Sequence, residues 1–195
     1  MICANSLRLK LRPLRLADLD AVCHFMGNDP AMTWDHSSRD RERISKDLLK
    51  RLEHYREHGF GVLAVEEIQS GEIVGQTGLQ RSPIGGVELV AYTARSRWRH
   101  GIARESCHIA LEIAFAGMHL DEVVAIVRQD NLAAQRLAEE FGFAWHEKQH
   151  LYDEDVFVGS LRNADWKPST GGLVSLWNCE PESDPSSPTS SVSGI

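Results

Sequence analysis

Between Arg95 and Arg104 the sequence reads Arg-Ser-Arg-Trp-Arg-His-Gly-Ile-Ala-Arg, placing four arginines in ten residues of a chain whose formal net charge is -7. The run joins an apolar stretch (87–93) to a segment in which Ile102, Ile109, Ile113 and Phe115 recur at helical spacing. A strand-to-helix junction of this kind suits an anion. The first turn of a helix has backbone N–H groups without internal partners and a partial positive charge, so a pyrophosphate placed there satisfies several donors at once. Gly101 and the small Ala103 leave that backbone approachable. Arg95, Arg97, Arg99 and Arg104 would add positive charge. The alternative is a solvated basic loop without a ligand, and the spacing alone does not separate the two. Nothing comparable points to a metal. His24, His54, His58, His108, His119, His146 and His150 show no metal-ligand spacing, and Cys3, Cys23, Cys107 and Cys179 form no C-x-x-C pair and are read as reduced thiols.

The elements that must position this junction can be read from periodicity. Leu7, Leu9 and Leu11 alternate with Arg8, Lys10 and Arg12, the period of a half-buried strand. Leu19, Val22, Phe25 and Met26 predict a helix stopped by Gly27-Asn28-Asp29-Pro30, and Ile44, Leu48, Leu52 and Tyr55 a longer one ending near Gly59. Strands follow over 60–68, 73–80 and 87–93, with turn residues between them that suit antiparallel connections. After the helix that begins at Gly101 come a buried strand (123–127), a helix (133–141) ended by Gly142, and strands over 143–149 and 156–161 paired as a hairpin. The order β-α-α-β-β-β-α-β-α-β-β implies an α/β (α+β) fold, a mixed, mostly antiparallel twisted sheet of about seven strands with helices on both faces. The domain is expected to end at Trp166. Residues 167–195 read as a disordered Ser/Pro-rich tail in which Leu173, Val174, Leu176 and Trp177 offer a short apolar clip.

The run Trp98-Arg99-His100-Gly101-Ile102-Ala103-Arg104 resembles the acetyl-coenzyme A loop of the GNAT superfamily of N-acetyltransferases, and specifically its ribosomal-protein N-terminal-acetyltransferase branch, in which Trp is common at the first position. Gly101 and Ala103 match the pattern, and His100 departs from its usual basic residue. Downstream, Asn131, Arg136, Gly142 and Phe143 match the branch's Asn, helix and Gly-Phe, and the similarity extends over residues 7–166. The resemblance implies acetyl-coenzyme A as cosubstrate, cradled by residues Trp98 to Arg104. Its pantetheine arm would be bonded by the backbone of Ala91, Tyr92 and Thr93 and by Asn131, a residue that would serve equally as a helix cap. Glu88 stands at the family's strand Glu and is the candidate base; an ordinary strand charge or a partner for Arg81 is the alternative. Trp34, Asp35 and His36 lie where relatives shape the acceptor pocket and would read an amine through a ring face and a carboxylate, unless the Trp simply packs its loop. Ala138 replaces the Tyr that many members use as an acid, and Ala134 replaces a common Ser.

Composition is consistent with one globular domain: 195 residues, 42% apolar and 25% charged. Net acidity argues against nucleic acid as a partner, and no apolar run is long enough to span a membrane or resembles a secretory leader. The expectation is a cytoplasmic amine acetyltransferase, monomer or homodimer, that uses no metal. A non-catalytic acyl-coenzyme A sensor is the rival reading.

Overall fold

The structure, a computed structural model, describes residues 2–27, 40–146, 148–151, 153–168 and 174–178. Its frame is one ten-stranded sheet. In chain order the strands are β1 (Ile2–Asn5), β2 (Leu9–Pro13), β3 (Val62–Glu67), β4 (Ile73–Arg81), β5 (Val87–Thr93), β6 (Glu122–Arg128), β7 (Ala144–Trp145), β8 (Gln149–Leu151), β9 (Glu154–Arg162) and β10 (Ser175–Asn178). They lie side by side as β10-β1-β2-β3-β4-β5-β6-β9-β7, with β8 also on β9. All pairings are antiparallel except β5 with β6.

Four α-helices cover the two faces: α1 (Leu19–Met26), α2 (Arg41–His58), α3 (Ile102–Glu112) and α4 (Leu132–Phe141). Helix α2 starts where Asp40 accepts a hydrogen bond from the Arg43 N–H at 2.8 Å and stops at left-handed Gly59. Its buried Ile44 and Leu48 join Val22, Phe25 and Met26 of α1 over Val62, Ala64 and Val90. On the other face Ile102, Ile109 and Leu111 of α3 pack with Leu63, Leu79, Val87 and Val123. Strand alternation therefore sends neighbouring β5 side chains to opposite cores. The Thr77 and Ser106 hydroxyls, 3.0 Å apart and buried, fix α3 to β4. The entry to α1 is pinned by Arg12, whose guanidinium donates to both Asp18 carboxylate oxygens (2.9 and 3.0 Å) and to Glu66 (2.7 Å). These bonds hold the guanidinium more firmly charged than usual, against the cost of its burial.

The expected architecture is present, with three differences. Strand β1 precedes the first expected strand. The strand expected over 143–149 is broken into β7 and β8, both of which pair with β9. The segment from 167 onward is not all tail: Ser175–Asn178 forms β10 on β1, and Val174 and Leu176 of the expected clip pack against the main core, while Leu173 lies outside the described residues. The reading of all four cysteines as reduced thiols also fails, because Cys3 on β1 is disulfide-bonded while Cys23 and Cys107 are free. Cys179 lies outside the described residues.

Candidate active site

The two parallel strands meet at a single rung, Glu88 opposite Val124. Beyond it they separate, and the gap widens into a cleft of about 400 Å³ whose walls include Leu89 to Tyr92 of β5, Ala125 to Arg128 of β6 and Asn131, Ala134, Leu137 and Ala138 from α4. The cleft is lined from both faces of the sheet, because Leu89 and Ala91 point toward α3 and Glu88, Val90 and Tyr92 toward α1 and α2.

Main-chain direction decides what β5 offers to this gap. Successive residues of an antiparallel strand turn their amide and carbonyl to alternate sides. The Ala94 N–H donates to the Val74 carbonyl at 2.8 Å, and the Tyr92 carbonyl lies so close to β4 that a Cβ on Gly75 would come within 2.3 Å of it. Tyr92 thus spends its main chain on β4, and Ala91 and Thr93 face the cleft. The Thr93 carbonyl already accepts the Trp98 indole N–H at 2.9 Å. Of the two that face the gap, Ala91 keeps its carbonyl open to a ligand where Thr93 has its carbonyl engaged by Trp98, while Tyr92 contributes its side chain.

At the end of β5 the chain passes through a short 3-10 turn, Arg95–Arg97, into the loop Trp98-Arg99-His100 and then α3. Arg99 (φ 63°) and Gly101 (φ 78°) are both left-handed. Glycine adopts that conformation without penalty and a non-glycine rarely does, so strain is concentrated in the loop. Among the described residues no side chain caps α3, and the N–H groups of a first turn have no partner within their helix. Among the described residues beyond its chain neighbours, Gly101 would bring a notional Cβ within 4 Å only of Arg8 Nη2, at 3.6 Å.

The arginines do not act alike. Arg97 is bound to Glu72 at 2.8 Å and Glu67 at 3.3 Å, and Arg104 to Glu140 at 2.6 Å. Arg95 lies over the Trp98 ring, 5.9 Å from its centroid. Arg99 is exposed and makes no ion pair among the described residues. His100 donates through Nδ1 to the Trp98 carbonyl at 2.9 Å. A contribution not visible in the local sequence comes from Arg8, which reaches across to the His100 carbonyl (3.4 Å) and pairs with Glu105. Ser6 also donates to that carboxylate. Glu105 sits in the first turn of α3, where an unpaired carboxylate would repel a phosphate; Arg8 and Ser6 offset it.

Glu88 is only 8% exposed and accepts one hydrogen bond, from Gln80 Nε2 at 3.1 Å, rather than pairing with Arg81. Burial pushes its carboxyl above the ordinary range, the Gln80 bond opposing the shift. Asn131 caps α4, its Oδ1 accepting from the Ala134 N–H at 3.1 Å, and lines the cleft as well. Arg136 is exposed, off the side of α4 that lines the cleft. Trp34, Asp35 and His36 lie outside the described residues. Cys107 lines the cleft as a buried thiol whose pKa is pushed up to about 12 by desolvation. No cluster of three metal-ligating side chains occurs among the described residues.

A sheet splayed beside its parallel pair, with a short loop leading from the splayed strand to an uncapped helix, defines a class of acyl-coenzyme A binding folds. The acetyltransferase (GNAT) domain matches residues 8–144, and the chain belongs to that family. Solved structures with this fold include an acetyltransferase from Agrobacterium tumefaciens str. C58, 25% identical, covering 82% of this chain and 94% of that one with a TM-score of 0.72. A GNAT-family acetyltransferase from Bordetella pertussis is 22% identical, covering 81% and 98%, TM-score 0.71. RimJ of Mycobacterium smegmatis, in complex with a CoA-disulfide, is 19% identical, covering 82% and 87%, TM-score 0.70. Enzymes of the family use acetyl-coenzyme A. The residues present fit that cosubstrate: an open helix terminus for its diphosphate, an Ala91 main chain for its amides and a cleft through the sheet for its arm.

Proposed function

We propose that this protein moves the acetyl group of acetyl-coenzyme A to a primary amine, a protein N-terminus or a small-molecule amine, by direct attack in a ternary complex. The observation that carries the reading is that β5 joins two features: near one end it places the buried carboxylate of Glu88 in the wall of the cleft, and past its other end the Arg95–His100 loop leads to the uncapped start of α3 at Gly101.

Acyl transfer to an amine needs a neutral nucleophile, a destination for its proton and donors for the developing oxyanion. A lysine amine with pKa ~10.4 is about one part in a thousand neutral near pH 7.4, whereas an α-amine with pKa ~7.8 is roughly a quarter neutral. Glu88, its basicity raised by burial, accepts the proton directly or through water. The Ala91 N–H faces the gap where a carbonyl oxygen bonded along β5 would lie. Among the described residues of the cleft the one thiol, Cys107, stays protonated and does not act as a nucleophile. Ala138 offers no acid, so the departing thiolate is protonated from solvent. That same alanine, buried on the cleft side of α4, favours the second reading, a non-catalytic acyl-coenzyme A sensor.

Calorimetry with acetyl-coenzyme A, followed by thiol release across a panel of amines, separates the two. Binding with turnover is expected; binding without turnover across the panel would establish the sensor. Gly101→Glu, which puts a carboxylate into the anion seat at a left-handed position, is expected to weaken acetyl-coenzyme A binding by about 100-fold or more. Unchanged affinity would remove the assignment.

A further inference from the structure

On the face of the sheet that carries Glu88, cross-strand register places Gln80 beside Glu88 and Gln76 beside Tyr92. Over the second of these rungs lies Arg51 of α2. Its Nη1 donates to Gln76 Oε1, and its guanidinium carbon stands 5.3 Å from the centroid of the Tyr92 ring. Gln76 is 1% exposed, and Tyr92 is a wall of the cleft. The guanidinium is half-buried and makes no ion pair among the described residues. This is unusual in a protein whose other partly buried arginines, Arg12, Arg97 and Arg128, are each matched by two carboxylates. Asp47, one turn back on α2, borders the same small void as Arg51 and Gln76 without pairing to it. A guanidinium has five donors in a planar fork, and one is used here. The amide of Gln76 and the face of Tyr92 hold the fork in place, as a site for a carboxylate requires.

We infer that Arg51 reads an anionic group on the acceptor, and that the acceptor is an acidic peptide N-terminus with Asp or Glu at its second or third position. The inference rests on the acetyl-transfer reading above and adds the substrate class to it. Spacing narrows the class. The reacting carbonyl is bonded at Ala91, next to Tyr92, and the guanidinium stands over the Tyr92 ring, its carbon 5.3 Å from the ring centroid and so a side chain's length off the strand. An α-carboxylate of a free amino acid, one carbon from the amine, is too near. A side-chain carboxylate one or two residues along an extended peptide spans the required distance. The net charge of -7 does not oppose this, since charges beyond about 8 Å are screened at physiological salt while a half-buried fork acts at contact.

The test is thiol release from acetyl-coenzyme A with paired tripeptide amides, Ser-Glu-Ala and Ser-Ala-Glu against Ser-Gln-Ala and Ser-Ala-Gln. The wild-type chain should prefer the Glu member of at least one pair by about tenfold or more in kcat/KM, through KM, the size of a charge-assisted hydrogen bond. Arg51→Met should bring that ratio to about one, and Arg51→Lys, which keeps the charge and loses the fork, should leave an intermediate ratio. Calorimetry of both variants with acetyl-coenzyme A confirms that they are folded. Equal or better turnover of the Gln peptides by the wild-type chain overturns the inference whatever the variants do. So does a fall in Arg51→Met that is the same for both members of a pair, which marks a structural residue. Failure of every amine, with or without an acid, overturns the acetyl-transfer reading instead.

Discussion

Glu88 carries opposite demands, and they can be measured separately. Its folded-state pKa is raised by burial, so between its ordinary and its raised value the folded chain holds a proton that the unfolded chain has released. Stability from this group is therefore lost as pH rises through that window, and at neutral pH the buried charge is a net cost. Glu88→Gln should raise the melting temperature at pH 7 while lowering kcat/KM by about 100-fold or more, the range of a lost general base. It should also remove the lower inflection of the pH–rate profile, leaving the titration of the acceptor amine. Full activity at every pH would take Glu88 out of the mechanism. What is local at this site was legible in the sequence: Gly101 and Ala103 at a strand-to-helix junction, and the cap at Asn131. What is not local was not. Arg8, just before β2, reaches the His100 carbonyl and Arg51 of α2 reaches the Tyr92 ring, across separations that no periodicity records, and only the fold shows that Arg97 and Arg104 are already neutralised by Glu67, Glu72 and Glu140.

Elements join through a few polar contacts, and the one between α2 and the end of β4 is sensitive to pH. His54 donates through Nδ1 to the Phe60 carbonyl and accepts the Arg81 N–H at Nε2, both at 3.0 Å. Only the neutral ring can do both. Burial lowers its pKa, with His58 and Arg81 adding to the shift and Glu57 and the Phe60 bond opposing it. A histidine depressed in the folded state contributes stability that is whole above its unfolded pKa of ~6.5 and lost as pH falls from there to the folded value. Melting temperature should therefore be flat above about pH 7 and decline below about 6.5, and His54→Gln should flatten that decline. A wild-type curve flat down to pH 5 would contradict the tautomer assigned here. The same scale shows why some elements were readable. Strand β5 was read with its observed bounds because both its faces are buried and its ends are marked by glycine and by the basic loop. Strand β1 has four residues and no clear alternation; its burial comes from β2 and β10 on either side.

Across the whole molecule, β10 and the cleft stand far apart. The sheet order puts β1, β2, β3 and β4 between β10 and β5, about 24 Å at the usual strand spacing. Strand β10 covers the edge of β1, and its Leu176 lies against the helical turn that follows α3, where a Cβ on Gly117 would meet it at 3.6 Å. Ending the chain at Pro168, with both lengths of chain compared under reducing conditions so that the Cys3 disulfide is open in each, strips that cover and the apolar contact with it, a loss of about 2 kcal/mol that should lower the melting temperature by about 4–8 °C. It also bares β1, a short apolar edge open to pairing with another chain, so the truncated protein should self-associate more readily at high concentration. Affinity for acetyl-coenzyme A should nevertheless stay within about twofold, because neither the α3 terminus nor the Ala91 main chain touches the missing strand. Calorimetry and light scattering on the two lengths of chain decide it: a large loss of cosubstrate affinity on truncation, with the fold intact by circular dichroism, would mean that β10 and the cleft are coupled through the sheet, and that the edge closure belongs to the site rather than to the scaffold.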